Sequence, residues 1–115
     1  MRDVLRGTMI AATIFILSGS ALAECKAPPK PPQMPQGATA SDEDMKHGRE
    51  QLQTYVNILQ DYQKCIDAQI KNAPPDTKPE VKQQWAANAD AAIDAAHTIA
   101  DVYSIQLRAF KARQE

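Results

Sequence analysis

The chain has little of what catalytic and nucleic-acid sites are usually built from. Four of its 115 residues are glycine, all isolated from one another. No Gly-rich loop is therefore present to cradle a phosphate. Past residue 23 the only serines are Ser41 and Ser104. Neither lies in G-x-S-x-G, and no H-E-x-x-H occurs. The two cysteines are not arranged as C-x-x-C, which excludes a thioredoxin-like dithiol and a haem-attachment motif. There is no basic excess: 13 Lys and Arg face 14 Asp and Glu, for a net charge of −1. Such a balance gives no electrostatic footprint for a phosphate backbone, so nucleic acid is not an expected partner. Aromatic residues make up 5 % of the chain. No apolar run approaches the roughly 20 residues that span a bilayer.

The longest apolar run, "MIAATIFIL" at 9–17, reads instead as the core of an export signal. Arg2 and Arg6 precede it, and "SGSALA" follows with Ala21 and Ala23 at the A-x-A positions. Cleavage is expected between Ala23 and Glu24, making residues 1–23 a removed signal peptide. The alternatives are a retained anchor and a lipoprotein. The first has too short an apolar run. The second requires a small residue before the cysteine, where Glu24 stands. The mature chain is then periplasmic or secreted, soluble, and not inserted in a membrane.

Cys25 opens the mature chain, and its only intramolecular partner is Cys65. An exported compartment favours a disulfide between them; two free thiols or an intermolecular bridge is the alternative. Residues 24–40 form a Pro-rich arm. In polyproline II, positions three apart share a face. Pro29, Pro32 and Pro35 then make one column, and Pro28, Pro31 and Met34 a second. Ala27, Lys30, Gln33 and Gln36 make a third, mostly polar column. The 16 residues from Cys25 to Ser41 reach about 50 Å at 3.1 Å each. Cys65 lies about 36 Å into a helix that starts at Ser41, at 1.5 Å per residue. An arm turning back at Gly37 thus reaches Cys65. The alternatives for the arm are a disordered linker and, in "KAPPKPP", a +xxPxxP ligand.

Residues 41–115 read as an all-α, coiled-coil-like antiparallel hairpin. The first helix is expected over 41–72. Ser41 and Asp44 form a capping box, with Asp in place of Glu or Gln. Met45, Leu52, Leu59 and Ile66 recur seven apart, and Gly48, Tyr55, Tyr62 and Gln69 fall between them. Pro74 and Pro75 mark the stop. The second helix is expected over 78–113, with a second capping box from Thr77 and Glu80 and with Pro79 in the first turn. Its rows are Trp85, Ala92, Ile99, Gln106 and Asn88, Ala95, Val102, Ala109. Ala89, Ala96, Tyr103 and Phe110 flank them. Folding about the short linker sets Tyr62 near Asn88 and Tyr55 near Ala95, large side chains against small. The expected core and interface residues are Tyr55, Leu59, Tyr62, Trp85, Ile99, Tyr103 and Phe110. Val56, Ile58, Ile70, Ile93 and Ile105 widen the apolar surface beyond one seam.

The Pro columns opposite Tyr55 and Tyr62 resemble polyproline–α hairpin folds, in which arm prolines pack on helix tyrosines. The mature chain also resembles a group of small exported proteobacterial proteins. They share an "EC" start, a Pro-rich arm ending near "GATAS", a Y…C helix and a final helix ending in "KARQ". That resemblance implies the fold and the compartment and no specific activity.

Asp90, Asp94, His97 and Asp101, spaced 4, 3 and 4, share one helix face and have the donor chemistry for Zn²⁺ or Cu²⁺. A solvated polar face is the better reading, because these positions point away from the seam. The sequence therefore describes a non-enzymatic hairpin without cofactor, acting on an envelope protein or pairing as a homodimer. A metal-binding hairpin is the alternative. The intact mass of the exported protein is expected to show loss of 23 residues and of two further hydrogens; a lipid-modified Cys25 would contradict this.

Overall fold

A computed structural model of the chain describes residues 25–114. The expected signal segment and its cleavage site lie outside the described residues. Two helices are present, α1 (Asp42–Lys71) and α2 (Pro79–Ala112), packed side by side as a hairpin with no strand among the described residues.

α1 begins where its sequence says it should. Ser41 is the N-cap: its hydroxyl accepts from the Asp44 amide at 3.0 Å, and the Asp44 carboxylate accepts from the Ser41 amide at 3.2 Å. Asp42, Glu43 and Asp44 place negative charge against the positive end of the helix dipole. α2 begins differently. Its N-cap is Lys78, no side chain caps it, and the expected Thr77–Glu80 box does not form. The cause is Pro79. A proline disfavours helical backbone in the residue before it. Lys78 accordingly sits at φ −64°, ψ 139°, outside the helix, which leaves Thr77 one residue too early to cap. The Thr77 amide instead closes a turn onto the Pro74 carbonyl.

The seam on α1 follows the expected rows. Met45, Gly48, Tyr55, Leu59 and Ile66 are buried, and Leu52, Tyr62 and Gln69 are half-buried. On α2 one row is displaced. Ala92 and Ile99 are buried, but their companions are Ala89, Tyr103 and Phe110. Val102 remains 41 % exposed. The second row is therefore Ala89, Ala96, Tyr103, Phe110, one residue on from the expected Asn88, Ala95, Val102, Ala109. Tyr103 and Phe110 bury far more apolar surface than Val102 and Ala109 would, and this turns the helix. Trp85, expected in the core, is only half-buried. The helices meet in the expected register. Tyr103 Oη donates to the Met45 carbonyl at 3.3 Å, and Tyr55 shares a groove with Ala95 and Ile99.

The arm turns at residues 37–39 and returns along α1. Pro35 sits over Gly48, and Cys25 is bonded to Cys65. Between these two fixed points α1 advances about 26 Å at 1.5 Å per residue. Ten arm residues match it, near the extended advance of polyproline II and far beyond a helix. Met34 and Ala40 enter the core cluster with Tyr55, Leu59, Ile99 and Tyr103.

Both glycines of this region stand where a neighbouring segment leaves no room for a side chain. Gly37 is buried and its φ is not positive. Its value lies in lacking a side chain: a Cβ would collide with the Gln106 carbonyl and meet the Phe110 amide at 2.8 Å. A Cβ at Gly48 would meet Pro35 Cδ at 2.5 Å and Cγ at 2.7 Å.

Two outcomes are expected in urea titrations. Gly37→Ala should destabilise by about 1–3 kcal/mol, the usual range for overpacking. Gly48→Ala should destabilise the wild-type chain despite the roughly 1 kcal/mol gain in helix propensity. In a Pro35→Ala background the same change should turn neutral or stabilising. An unchanged effect of Gly48→Ala in the two backgrounds would mean that the proline does not occupy this space.

Candidate functional site

The arm gives the hairpin two unlike flanks. On one flank the arm lies against both helices. It is fixed at two places, and the physical means differ. At the Gly37 end the fixing is by hydrogen bonds to the last turns of α2. The Gly37 amide donates to Gln106 Oε1 at 2.9 Å. Arg113 Nη1 donates to the carbonyls of Gly37 at 2.9 Å and Ala40 at 2.7 Å. The guanidinium carbon lies over the Phe110 ring, 5.4 Å from its centroid, within cation–π range. At the other end the fixing is covalent. Cys25 and Cys65 form a disulfide, with their Cα atoms 5.7 Å apart.

Between these ends no hydrogen bond joins residues 26–35 to the helices, among the described residues. Packing alone holds that stretch. Met34 is buried and Pro28, Pro32 and Pro35 are half-buried, while Pro29 and Pro31 are exposed. The two expected columns are thus each only partly engaged. Pro29 belongs to the outer surface, because a straight column with three residues per turn drifts relative to the helix it lies on. The burial of Pro32 also bears on the +xxPxxP reading: one of its two prolines is half-turned toward Tyr55, with which it shares a groove.

Beside the arm run shallow apolar grooves. One is walled by Pro29, Pro32, Tyr55 and Ile58. A second, nearer the disulfide, is walled by Pro28, Pro29, Ile58 and Tyr62, with Cys65 in its wall. Beyond the arm, α2 exposes Val102 at 41 % and Ile105 at 57 %.

Among the described residues nothing covers the opposite flank. There a groove runs along the seam between Val56, Leu59 and Gln63 of α1 and Ala92, Ile93, Ala96 and Ala100 of α2. Its floor is Leu59, 2 % exposed, and its α2 wall is mostly alanine, which lets another backbone approach closely. His97 stands at its rim.

Asp90, Asp94, His97 and Asp101 are all exposed on the outer face of α2. Among the described residues no three His, Cys, Asp or Glu side chains come together so as to hold a metal ion. The spacing put these four along one exposed stripe of α2, and no His, Cys, Asp or Glu of α1 completes a set of three with them among the described residues. Nor is any charged side chain buried among the described residues.

Of the expected core and interface residues, Tyr55, Leu59, Ile99, Tyr103 and Phe110 are buried, and Tyr62 and Trp85 are half-buried. Sequence reasoning did not single out Arg113 or Gln106 as holders of the arm. The signal available was a terminal cation and an amide on the seam row, opposite a buried glycine turn. No helix among the described residues is long and apolar enough to cross a membrane. No protein-family model matches the chain, and no curated protein or solved structure matches it either.

The disulfide closes a loop of 40 residues, which on the chain-entropy model stabilises by roughly 4 kcal/mol. Cys65→Ser is expected to lower the urea midpoint accordingly while leaving the helical circular dichroism in place, since the bond restrains the arm and the unfolded chain more than the helices. An unchanged midpoint would show that the arm is not a structural strap.

Proposed function

We propose that the chain is a non-catalytic, exported helical hairpin that acts through protein–protein contacts in the cell envelope. The observation that carries the reading is the uncovered groove between Val56, Leu59, Ala92, Ile93 and Ala96. A hairpin stapled by its own arm on one flank keeps an apolar seam open on the other. Apolar surface left contiguous and rimmed by polar residues is the usual mark of a contact site. Gln60, Gln63 and His97 supply that rim. Export is the reading of the leader, and the disulfide agrees with an oxidising compartment.

Two occupants fit such a seam. A second hairpin would make a four-helix bundle with two-fold symmetry. A helix from another envelope protein would lie in the groove by its apolar stripe.

Light scattering after size exclusion, over a dilution series, separates the two. A concentration-dependent dimer supports the bundle. A monomer that binds the dye ANS, and loses that binding in Ile93→Lys, supports the foreign helix. A monomer that binds no ANS at any concentration would remove both, and with them the contact reading of this groove.

A further inference from the structure

Among the described residues, the Cys25–Cys65 bond is the covalent link between the arm and α1. Both cysteines are half-buried, neither enclosed. Their surroundings are not equivalent. Cys65 forms part of the wall of the apolar groove between Pro28, Pro29, Ile58 and Tyr62, and Cys25 does not. Of the two bonded cysteines, the one that borders this groove is therefore the one on the helix. The arm that carries the other sulfur makes no hydrogen bond to the helices over residues 26–35. Its far end is held separately by Gln106 and Arg113.

We propose that Cys65 is a thiol-exchange site and that the arm is a strap which opens and resets itself. The substrate class is a thiolate, from a small thiol or from a dithiol protein. The thiolate RS⁻ enters the groove beside Ile58 and attacks Cys65 Sγ. The R–S–S–Cys65 bond forms, the Cys65–Cys25 bond breaks, and Cys25 leaves as a thiolate that takes a proton from solvent. No net oxidation occurs: one disulfide is exchanged for another. Access to one sulfur over the other decides which mixed disulfide forms.

Once freed, residues 25–34 have only packing to hold them, and the Tyr62 and Ile58 surface beneath is uncovered. The Gly37 clamp stays closed, so Cys25 remains tethered twelve residues from a fixed point. A tether this short keeps it at an effective concentration on the order of millimolar. Cys25 then attacks its old partner, expels RS⁻ and closes the strap. Where the incoming group is a dithiol, its second thiol can resolve the mixed disulfide instead. The dithiol is then oxidised, both cysteines are reduced, and the strap stays open.

The test uses the full oxidised protein and reduced glutathione as the probe, under native conditions. The reaction is stopped with acid, free thiols are capped with a maleimide at low pH, and the adducts are mapped by peptide mass. The expected result is glutathione mainly on Cys65 and maleimide mainly on Cys25. Equal labelling, an excess of glutathione on Cys25, or no adduct until urea unfolds the chain would overturn the proposal. A second variant tests the route. Ile58→Glu, at a position 37 % exposed, puts a carboxylate where the thiolate must pass. Adduct formation should slow severalfold with the urea midpoint unchanged. An unaltered rate would show that the groove is not the way in.

Discussion

Residues 26–35 cannot hold themselves on the helices by hydrogen bonds. Five of these ten residues are prolines without an amide hydrogen. A polyproline-like strand also points its carbonyls outward, into water. Yet this stretch must stay down, because it covers Tyr55, Ile99 and the flank of the seam on which Met34 is buried. A two-helix hairpin buries little by itself and depends on such additions. The arm has to be fixed at its ends, and each end uses the strongest means locally at hand. At Cys25 that is a covalent bond. At Gly37 it is an amide of α2 and the guanidinium of Arg113, whose hydrogen bonds to carbonyls are charge-assisted.

The end fixings in turn dictate the glycines. A turn clamped by Gln106 and Arg113 has to lie against the α2 backbone itself. Only a residue without Cβ fits between the Gln106 carbonyl and the Phe110 amide. Gly48 answers the same need in the middle of α1. It gives up helix propensity so that Pro35 can sit in the space above it, with Tyr103 alongside. The alanines of α2 extend the rule across the seam: Ala92 and Ala95 lie where Leu59 and Tyr55 need room.

How far these arrangements could be read from the sequence follows from contrast. α1 alternates large apolar residues with charged and amide ones, so its rows at Met45, Tyr55, Leu59 and Ile66 show at once. α2 offers alanine on nearly every face between residues 86 and 100. A stripe of period 3.5 in that background can be drawn in more than one phase. The row through Val102 and the row through Tyr103 fit the spacing equally, and only the area of the tyrosine and phenylalanine rings decides between them. Capping was legible at Ser41, where no proline interferes, and misleading at Thr77, where Pro79 moved the boundary by one residue. The reach of the arm was legible because it is arithmetic on two rises per residue. The clamp was not, because Arg113 and Gly37 are 76 residues apart and nothing local links them.

The arm also settles the handedness of the surface. Two bare helices crossed by a pseudo-symmetry would present two similar seam grooves, and a partner could dock on either. With the arm in place the two grooves have different chemistry. One is roofed by proline and Met34 and closed by a disulfide. The other is open, alanine-walled and rimmed by glutamine and histidine. A helix approaching the open groove meets close-packing alanines over the stretch from Ala92 to Ala100. At the roofed groove it meets proline rings. The two flanks therefore present different surfaces, and among the described residues the arm covers one of them and leaves the seam open on the other.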